Sequence, residues 1–306
     1  MAHTNEVQVV SNEGWDERIV VCRNGRLVDT FIITTQPYVV IVDTMINAAT
    51  GQKLLDVAWE KLVNGRQLLV INTHADYDHC WGNMVFGGET AVQFAPIIGS
   101  KLSVPLFHRP EAQETLKQFQ EREPDIFNEV VFVPPTIRID ERLLIDGGDL
   151  TLELFPTPGH TVDHYALYIP EINTLLAADA AELPYPMART VDGLPAMRQS
   201  LAQLAALQAD TVLYCHAPVT IGPQLLLDNK AYFDRLEEKC RSALARGVPA
   251  HPDDSADVIA LADCPFAETV PSSEHWQNIH EYYKTNGHAQ QLRMMLQILA
   301  ENKEAA

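Results

Sequence analysis

Two histidines and two aspartates lie within six residues, directly after an apolar run that predicts a β-strand. The run covers residues 68–71, and the six residues are His-Ala-Asp-Tyr-Asp-His at 74–79. A loop at the end of a strand can direct imidazoles and carboxylates toward one point while the strand keeps the backbone rigid. Four such groups exceed what one tetrahedral ion with an open position takes from a single loop, so the pattern favours two metal ions. The alternative is a polar loop that enters a helix, with Asp76 or Asp78 as its N-cap.

Three more candidate ligands also come directly after predicted strands. His160 lies in the segment Thr-Pro-Gly-His-Thr, which follows one apolar run, while Asp179 and His216 each end another. Because strand ends can meet at one edge of a sheet, we expect these side chains to lie near the first loop.

The predicted elements change in character along the chain. Short β-rich runs alternate with helical stretches over residues 17–216. Apolar residues then recur every three or four positions over 225–244, which predicts the buried stripe of a long helix. A second helix is predicted over about 273–302, with Trp276 on its apolar side.

This change predicts two domains. Residues 1–222 would form a mixed α/β domain, and residues 223–306 a helical extension packed on it. The sequence shows no internal repeat and no linker rich in proline or glycine.

The charge balance restricts the partners. Asp and Glu number 41 against 22 Lys and Arg, so the net charge is −19. Phosphates need a basic surface, which argues against nucleic acid or an anionic membrane as a partner. No apolar run approaches the roughly 20 residues of a membrane-spanning helix, and the first residues lack a signal-peptide pattern. Five scattered cysteines without a CxxC pair indicate buried thiols, so we expect a cytoplasmic protein. Because the charge disfavours nucleic acid and membranes, we expect a small molecule as its substrate.

The ordered set of motifs resembles the metallo-β-lactamase superfamily over about residues 17–222. It comprises an HxHxDH-like motif at 74–79, the TPGHT segment, a strand-ending Asp179, and His216 in a Val-Leu-x-x-His-x-Pro-Val context. The resemblance implies an α/β (α+β) fold, namely a four-layer αββα sandwich of two mixed β-sheets flanked by helices. It also implies that the metal ions lie at one sheet edge.

By that resemblance, seven residues would hold two divalent ions. The first ion would take His74, Asp76 and His160, the second would take Asp78, His79 and His216, and Asp179 would bridge both. Asp76 departs from the family pattern, because most of its hydrolases have histidine there, whereas the flavodiiron proteins have glutamate and bind iron. A carboxylate makes this site harder and more negative, which favours iron or manganese relative to zinc. We expect zinc, with iron or manganese as alternatives.

Two adjacent cations predict hydrolysis. Metal coordination lowers the pKa of water toward about 7, so a bridging hydroxide is a nucleophile near neutral pH. Asp78 and Asp179 would orient this hydroxide and could move a proton to the leaving group. Tyr185 or His164 could support the developing oxyanion. Packing in a proline-rich loop is the alternative for Tyr185. For His164, a position that supports a ligand or faces the substrate is favoured over direct metal ligation, because seven ligands already fill two sites.

The predicted function is hydrolysis of a small ester, lactone or other acyl substrate. The alternative is a diiron protein that binds or reduces oxygen or nitric oxide, related to the flavodiiron family but lacking a flavodoxin domain. The 90 residues after His216 are helical in pattern and too few for such a domain. A homodimer through the C-terminal helices is a further expectation.

Overall fold

The computed structural model describes residues 3–217, 222–270 and 279–304. The chain forms two compact units, each described by itself. Unit one comprises Met1–Pro156, Asp163–Ala178 and Asp210–Ile221, and unit two comprises Thr157–Val162, Asp179–Ala209 and Gly222–Ala306. The predicted domains, 1–222 and 223–306, stay a prediction.

The first sheet of unit one has seven strands arranged in chain order. They are β1 (Val7–Val9), β2 (Ile19–Asn24), β3 (Val28–Thr34), β4 (Tyr38–Val42), β5 (Gln67–Ile71), β6 (Ile97–Ser100) and β7 (Ile137–Ile139). Strands β1 to β4 pair antiparallel, and β4 to β7 pair parallel. The turn between β2 and β3 uses Gly25 at φ +54°, a conformation that glycine adopts without steric cost.

The second sheet of unit one has five strands. They are β8 (Leu143–Asp146), β9 (Thr151–Pro156), β10 (Tyr165–Ile169), β11 (Thr174–Ala178) and β12 (Thr211–Tyr214). The order across the sheet is β12-β11-β10-β9-β8, with only the β11–β12 pair parallel. Both sheets are therefore mixed, as predicted.

One hydrophobic core joins the two sheets. It takes Val40 and Ile41 from the first sheet and Leu152 and Leu167 from the second, all almost fully buried. Burying each such side chain contributes about 1.5–3 kcal/mol. Because consecutive residues of β4 are buried, both faces of that strand are covered. The predicted fold class, two mixed sheets flanked by helices, is confirmed.

The described residues of unit one also form five α-helices. They are α1 (Ala48–Trp59), α2 (Tyr77–Cys80), α3 (Ser103–Phe107), α4 (Pro110–Arg122) and α5 (Pro124–Phe127). A reciprocal capping box between Asn47 and Thr50 starts α1, and the helix buries its Leu54 and Leu55 face. The helix thus makes the connection that the parallel strands β4 and β5 require.

The helices of unit two include the long one predicted from apolar spacing. They are α6 (Gly193–Ala206), α7 (Gln224–Ala245), α8 (Val258–Ala262), α9 (Phe266–Thr269) and α10 (His288–Glu304). Along α7 the buried side chains Tyr232, Leu236, Cys240 and Ala243 recur at helical spacing, which confirms the predicted stripe. None of the helices in the described parts of the chain is both long and apolar enough to span a membrane.

The second predicted helix, over 273–302, is partly wrong. The α-helix α10 begins only at His288, after one turn of π-helix at Tyr283–Gly287. Asn286 and Gly287 are poor helix formers, which accounts for the irregular turn. Trp276 and the rest of residues 271–278 lie outside the described residues.

Candidate metal centre

The loop after β5 places Asp78 and His79 on one short helical turn. Asp76 occupies the N-cap position of α2, but its side chain makes no capping hydrogen bond. Its backbone carbonyl instead accepts from the backbone N–H groups of His79 and Cys80. The capping alternative considered for Asp76 is therefore not supported.

Three predicted ligands of the second ion converge within unit one. The two Nε2 atoms of His79 and His216 lie 3.4 Å apart. Asp78 Oδ2 lies 3.4 Å from His216 Nε2, and Asp78 Oδ1 lies 3.9 Å from His79 Nε2. The His79 side chain is fully buried, and the other two are 8% and 20% exposed. The structure thus groups one carboxylate and two imidazoles, as the sequence predicts.

The hydrogen bonds of these histidines fix which ring nitrogen carries the proton. His79 Nδ1 lies 2.8 Å from Asp43 Oδ2, and His216 Nδ1 lies 2.6 Å from the Leu27 carbonyl oxygen. Both partners only accept, so each Nδ1 donates, and in the singly protonated form of each ring the Nε2 lone pair faces the other ring. Two lone pairs at this distance repel unless a proton or a cation lies between them. The donor set therefore fits a divalent metal ion.

Asp43 organises a second histidine through Thr73. The Asp43 carboxylate accepts from the Thr73 backbone N–H at 2.8 Å and from the Thr73 hydroxyl at 2.7 Å. Because that hydroxyl gives its one proton to Asp43, it accepts from His74 Nδ1, 3.0 Å away. His74 Nε2 then faces Asp76 Oδ2 at 3.3 Å, so these two predicted ligands of the first ion also meet in unit one.

Sequence reasoning missed the role of Asp43. The residue is fully buried and follows β4 in the left-handed region, at φ +65°. Aspartate tolerates this region better than most residues with a Cβ. An acidic residue directly after a wholly apolar strand was the one available signal, because burying a carboxylate costs free energy unless several donors meet it.

Two buried thiols, Cys80 and Cys215, lie beside predicted ligands. Burial, followed by the charges of Asp76 and Asp43, raises the pKa of the Cys80 thiol well above its usual value. Asp43, His79 and Cys215 also lie close enough to form a group of potential ligands. His79 presents its protonated Nδ1 on that side, and so offers no lone pair there. The five cysteines are all buried, as expected.

Unit two carries the other two predicted ligands. His160 Nε2 lies 3.5 Å from Asp179 Oδ2, and both residues are buried. Asp179 follows Ala178, which has φ +46°. Arg189, which sequence reasoning did not single out, places Nη2 2.9 Å from His160 Nε2. The assignment of His160 and Asp179 to the same centre as the ligands of unit one stays a prediction.

The two predicted auxiliary residues are both fully buried. The His164 ring lies 5.0 Å from the His74 ring, between centroids. The Tyr185 hydroxyl donates to the Tyr283 carbonyl oxygen at 2.7 Å, and its ring stacks on Tyr232. Burial raises the pKa of Tyr185 above its usual value. The contacts of Tyr185 are those of the packing alternative, and the roles predicted for both residues stay predictions.

Comparison with known proteins gives the same family. Residues 23–216 match the sequence profile of the metallo-β-lactamase superfamily. A hydroxyacylglutathione hydrolase from Hahella chejuensis is 33% identical over 146 residues, which cover 44% of this chain and 54% of that relative. A hydroxyacylglutathione hydrolase from Rhodopseudomonas palustris is 32% identical over 168 residues, 49% of this chain and 65% of that relative. The matches thus span between about half and two thirds of these relatives' length.

A solved structure shows the same fold. A metallo-β-lactamase family protein from Thermus thermophilus gives a TM-score of 0.59 at 18% identity, over 90% of this chain and 89% of that one. The superfamily profile also spans the loop that carries His74 to His79 and ends at His216. The resemblance is confirmed, and the chain belongs to the metallo-β-lactamase superfamily.

Proposed function

We propose that the chain is a metal-dependent hydrolase of a small ester, lactone or other acyl substrate. The observation that carries this proposal is the arrangement of Asp78, His79 and His216, with both Nε2 atoms 3.4 Å apart and both Nδ1 atoms held by acceptors. Membership of the superfamily and the names of the hydroxyacylglutathione hydrolases support it.

Superfamily membership implies a centre of two divalent ions. We assign the second ion to Asp78, His79 and His216 and the first to His74, Asp76 and His160, with Asp179 as the bridge. Zinc is our proposal for both, and iron or manganese are the alternatives that the Asp76 carboxylate favours.

Bound divalent ions would supply a hydroxide at neutral pH and polarise an acyl carbonyl. The residues of the chain have separate parts in this chemistry. Asp43 keeps the proton of His79 on Nδ1, and the Leu27 carbonyl does the same for His216. Asp78 lies beside both Nε2 atoms, where its carboxylate can hold the proton of a water and pass it to the leaving group.

The substrate we propose is small and carries little negative charge. The net charge of −19 disfavours polyanions, and no basic cluster stands out over residues 220–306 of the sequence to receive the carboxylates of a glutathione conjugate. We therefore place simple esters and lactones before the acyl-glutathione conjugates named for the relatives. A cytoplasmic protein without nucleic acid or membrane partners, with a homodimer through the C-terminal helices, completes the proposal.

Hydrolysis of a small substrate panel tests this function. Chelator-treated protein is reloaded with zinc, manganese or iron and assayed on p-nitrophenyl acetate, a γ-lactone and an S-acyl thioester. We expect metal-dependent turnover that falls about a hundredfold or more in Asp78→Asn. His108→Ala, which alters an exposed histidine, serves as the matched control. Turnover that is the same without metal and in Asp78→Asn would refute the proposal. Two bound irons with oxygen-dependent absorption would favour the diiron alternative.

A further inference from the structure

Arg189 places its guanidinium against His160, a residue that the resemblance assigns to metal binding. Its Nη2 lies 2.9 Å from His160 Nε2. Arginine has only donors, so Nε2 must accept, and its lone pair is engaged by the guanidinium. The same Nε2 faces Asp179 Oδ2 at 3.5 Å. Arg189 therefore contacts the His160 atom that is turned toward the other predicted ligand of unit two.

The backbone beside Arg189 is held by the C-terminal helix α10. The buried Gln291 side chain accepts from the Ala188 N–H at 3.1 Å and donates to the Ala188 carbonyl at 3.0 Å. On the other side, the Thr190 hydroxyl accepts from the Gly193 N–H at the start of α6. These hydrogen bonds fix the backbone position from which the Arg189 side chain extends.

The Arg189 side chain approaches His160 from the protein surface. Arg189 is exposed, whereas His160 is only 8% exposed, so the guanidinium reaches inward from the surface. A long exposed side chain that rotates into solvent regains rotamer freedom and hydration, which offsets part of the contact energy it gives up. Arg189 is thus placed to leave His160 when another cation arrives.

We propose that Arg189 competes with a metal ion for His160, so that the two ions load in separate steps of unequal affinity. One lone pair cannot serve both cations, and the guanidinium charge repels a divalent ion that approaches the same nitrogen. The Nε2 atoms of His79 and His216, by contrast, face each other and the Asp78 carboxylate. The inference rests on the proposed function, because it takes His160 to be a ligand as in the superfamily.

Calorimetric titration of chelator-treated protein with Zn²⁺ tests the competition. We expect a tight step and a weaker step in the natural protein, with the weaker step absent in His160→Ala. Arg189→Met keeps the length of the side chain and removes its charge and donors. It should tighten the weaker step by about tenfold or more and leave the tight step unchanged.

The control is Arg198→Met, which removes the same charge from the same unit. Arg198 pairs with Asp234 and Glu237, so its loss should leave both steps as they are. Thermal unfolding of each variant checks that it is folded. Equal steps in the natural protein, or an unchanged weaker step in Arg189→Met, would overturn the competition. Absence of any zinc step in the natural protein would instead refute the proposed function, so the two failures can be told apart.

Discussion

The Asp43 carboxylate determines which ring nitrogen carries the proton in two histidines. It accepts directly from His79 Nδ1 and, through the hydroxyl of Thr73, sets the donor role of His74 Nδ1. Such carboxylate–histidine pairs orient a metal ligand and raise its basicity. One residue that binds no metal thus prepares one ligand for each predicted ion.

Asp43→Asn tests that role. An amide carries its own N–H donors, so one side of Asn would oppose the N–H and O–H groups that now donate to Asp43. We expect zinc affinity to fall by about tenfold to a hundredfold, measured by competition with a chromophoric chelator. Asp16→Asn, which alters a carboxylate paired with Arg18 in the same unit, is the control. Equal affinity in the two variants would mean that Asp43 does not position the ligands.

At the scale of single residues, the sequence predicts the metal ligands better than the residues that position those ligands. Histidines and aspartates crowded after a strand form a pattern, so His74 to His79 could be found. Asp43 and Arg189 stand alone in the sequence, and their roles come from contacts with Thr73 and His160 that the fold creates.

The segment that carries His160 is shaped by its fit against α6. Gly159 has φ +145°, and a Cβ there would lie 2.4 Å from both Cα and Cβ of Met197. Ser200 Oγ, also on α6, donates to the Pro158 carbonyl at 2.8 Å. Glycine is required because helix backbone cannot shift to make room.

Gly159→Ala should therefore destabilise the protein by several kcal/mol, through overlap as well as backbone strain. The free energy of unfolding in urea measures the loss. Gly247→Ala is the matched control, because Gly247 also has positive φ but no atom within 4 Å of its Cβ position. Backbone strain alone predicts about 1 kcal/mol for that control. Equal losses in both variants would contradict the close fit against α6.

The elements follow from sequence where periodicity is strong. The regular spacing over α7 predicts a single long helix, and the structure has it at Gln224–Ala245. The start of α10 could not be predicted in the same way. The π-helical turn before it places the Tyr283 carbonyl oxygen 2.7 Å from the Tyr185 hydroxyl, a contact between residues about a hundred positions apart.

At the scale of the whole molecule, stability should fall in mild acid because of His288. Its Nε2 donates to the Cys264 carbonyl, so Nδ1 accepts from the Tyr232 hydroxyl at 2.8 Å. Burial lowers the pKa of His288 below its usual value. In the unfolded chain this histidine ionises near pH 6.5, whereas the folded protein resists ionisation. Its contribution is therefore fully present above about pH 6.5 and is lost as the pH falls toward the lowered folded pKa.

Urea unfolding at several pH values between 7.5 and 5 would measure this loss of stability, with the range set by the usual histidine pKa of about 6.5. His288→Gln should be less stable at neutral pH and should lose less stability than the natural protein on acidification. His280→Gln alters an exposed histidine of the same unit and should keep the natural slope. An identical slope in His288→Gln would exclude His288 as the source.

The sequence predicts only part of the organisation of the whole chain. The family resemblance of the ordered motifs implies two mixed sheets, and both lie in unit one. Thr157–Val162 and Asp179–Ala209 group instead with the C-terminal helices, although they interrupt the strand-rich region. Contacts such as Ala188 with Gln291 join residues far apart in sequence, and local sequence patterns do not predict such contacts.

The most direct test of the central claim is the metal content of the purified protein, by mass spectrometry without added metal. We predict that the natural protein retains at least about one equivalent of a divalent metal, because three converging ligands hold an ion tightly. His79→Ala should lose it, and His108→Ala should retain it. Less than about a tenth of an equivalent in the natural protein, or equal content in His79→Ala, would contradict a metal centre at Asp78, His79 and His216.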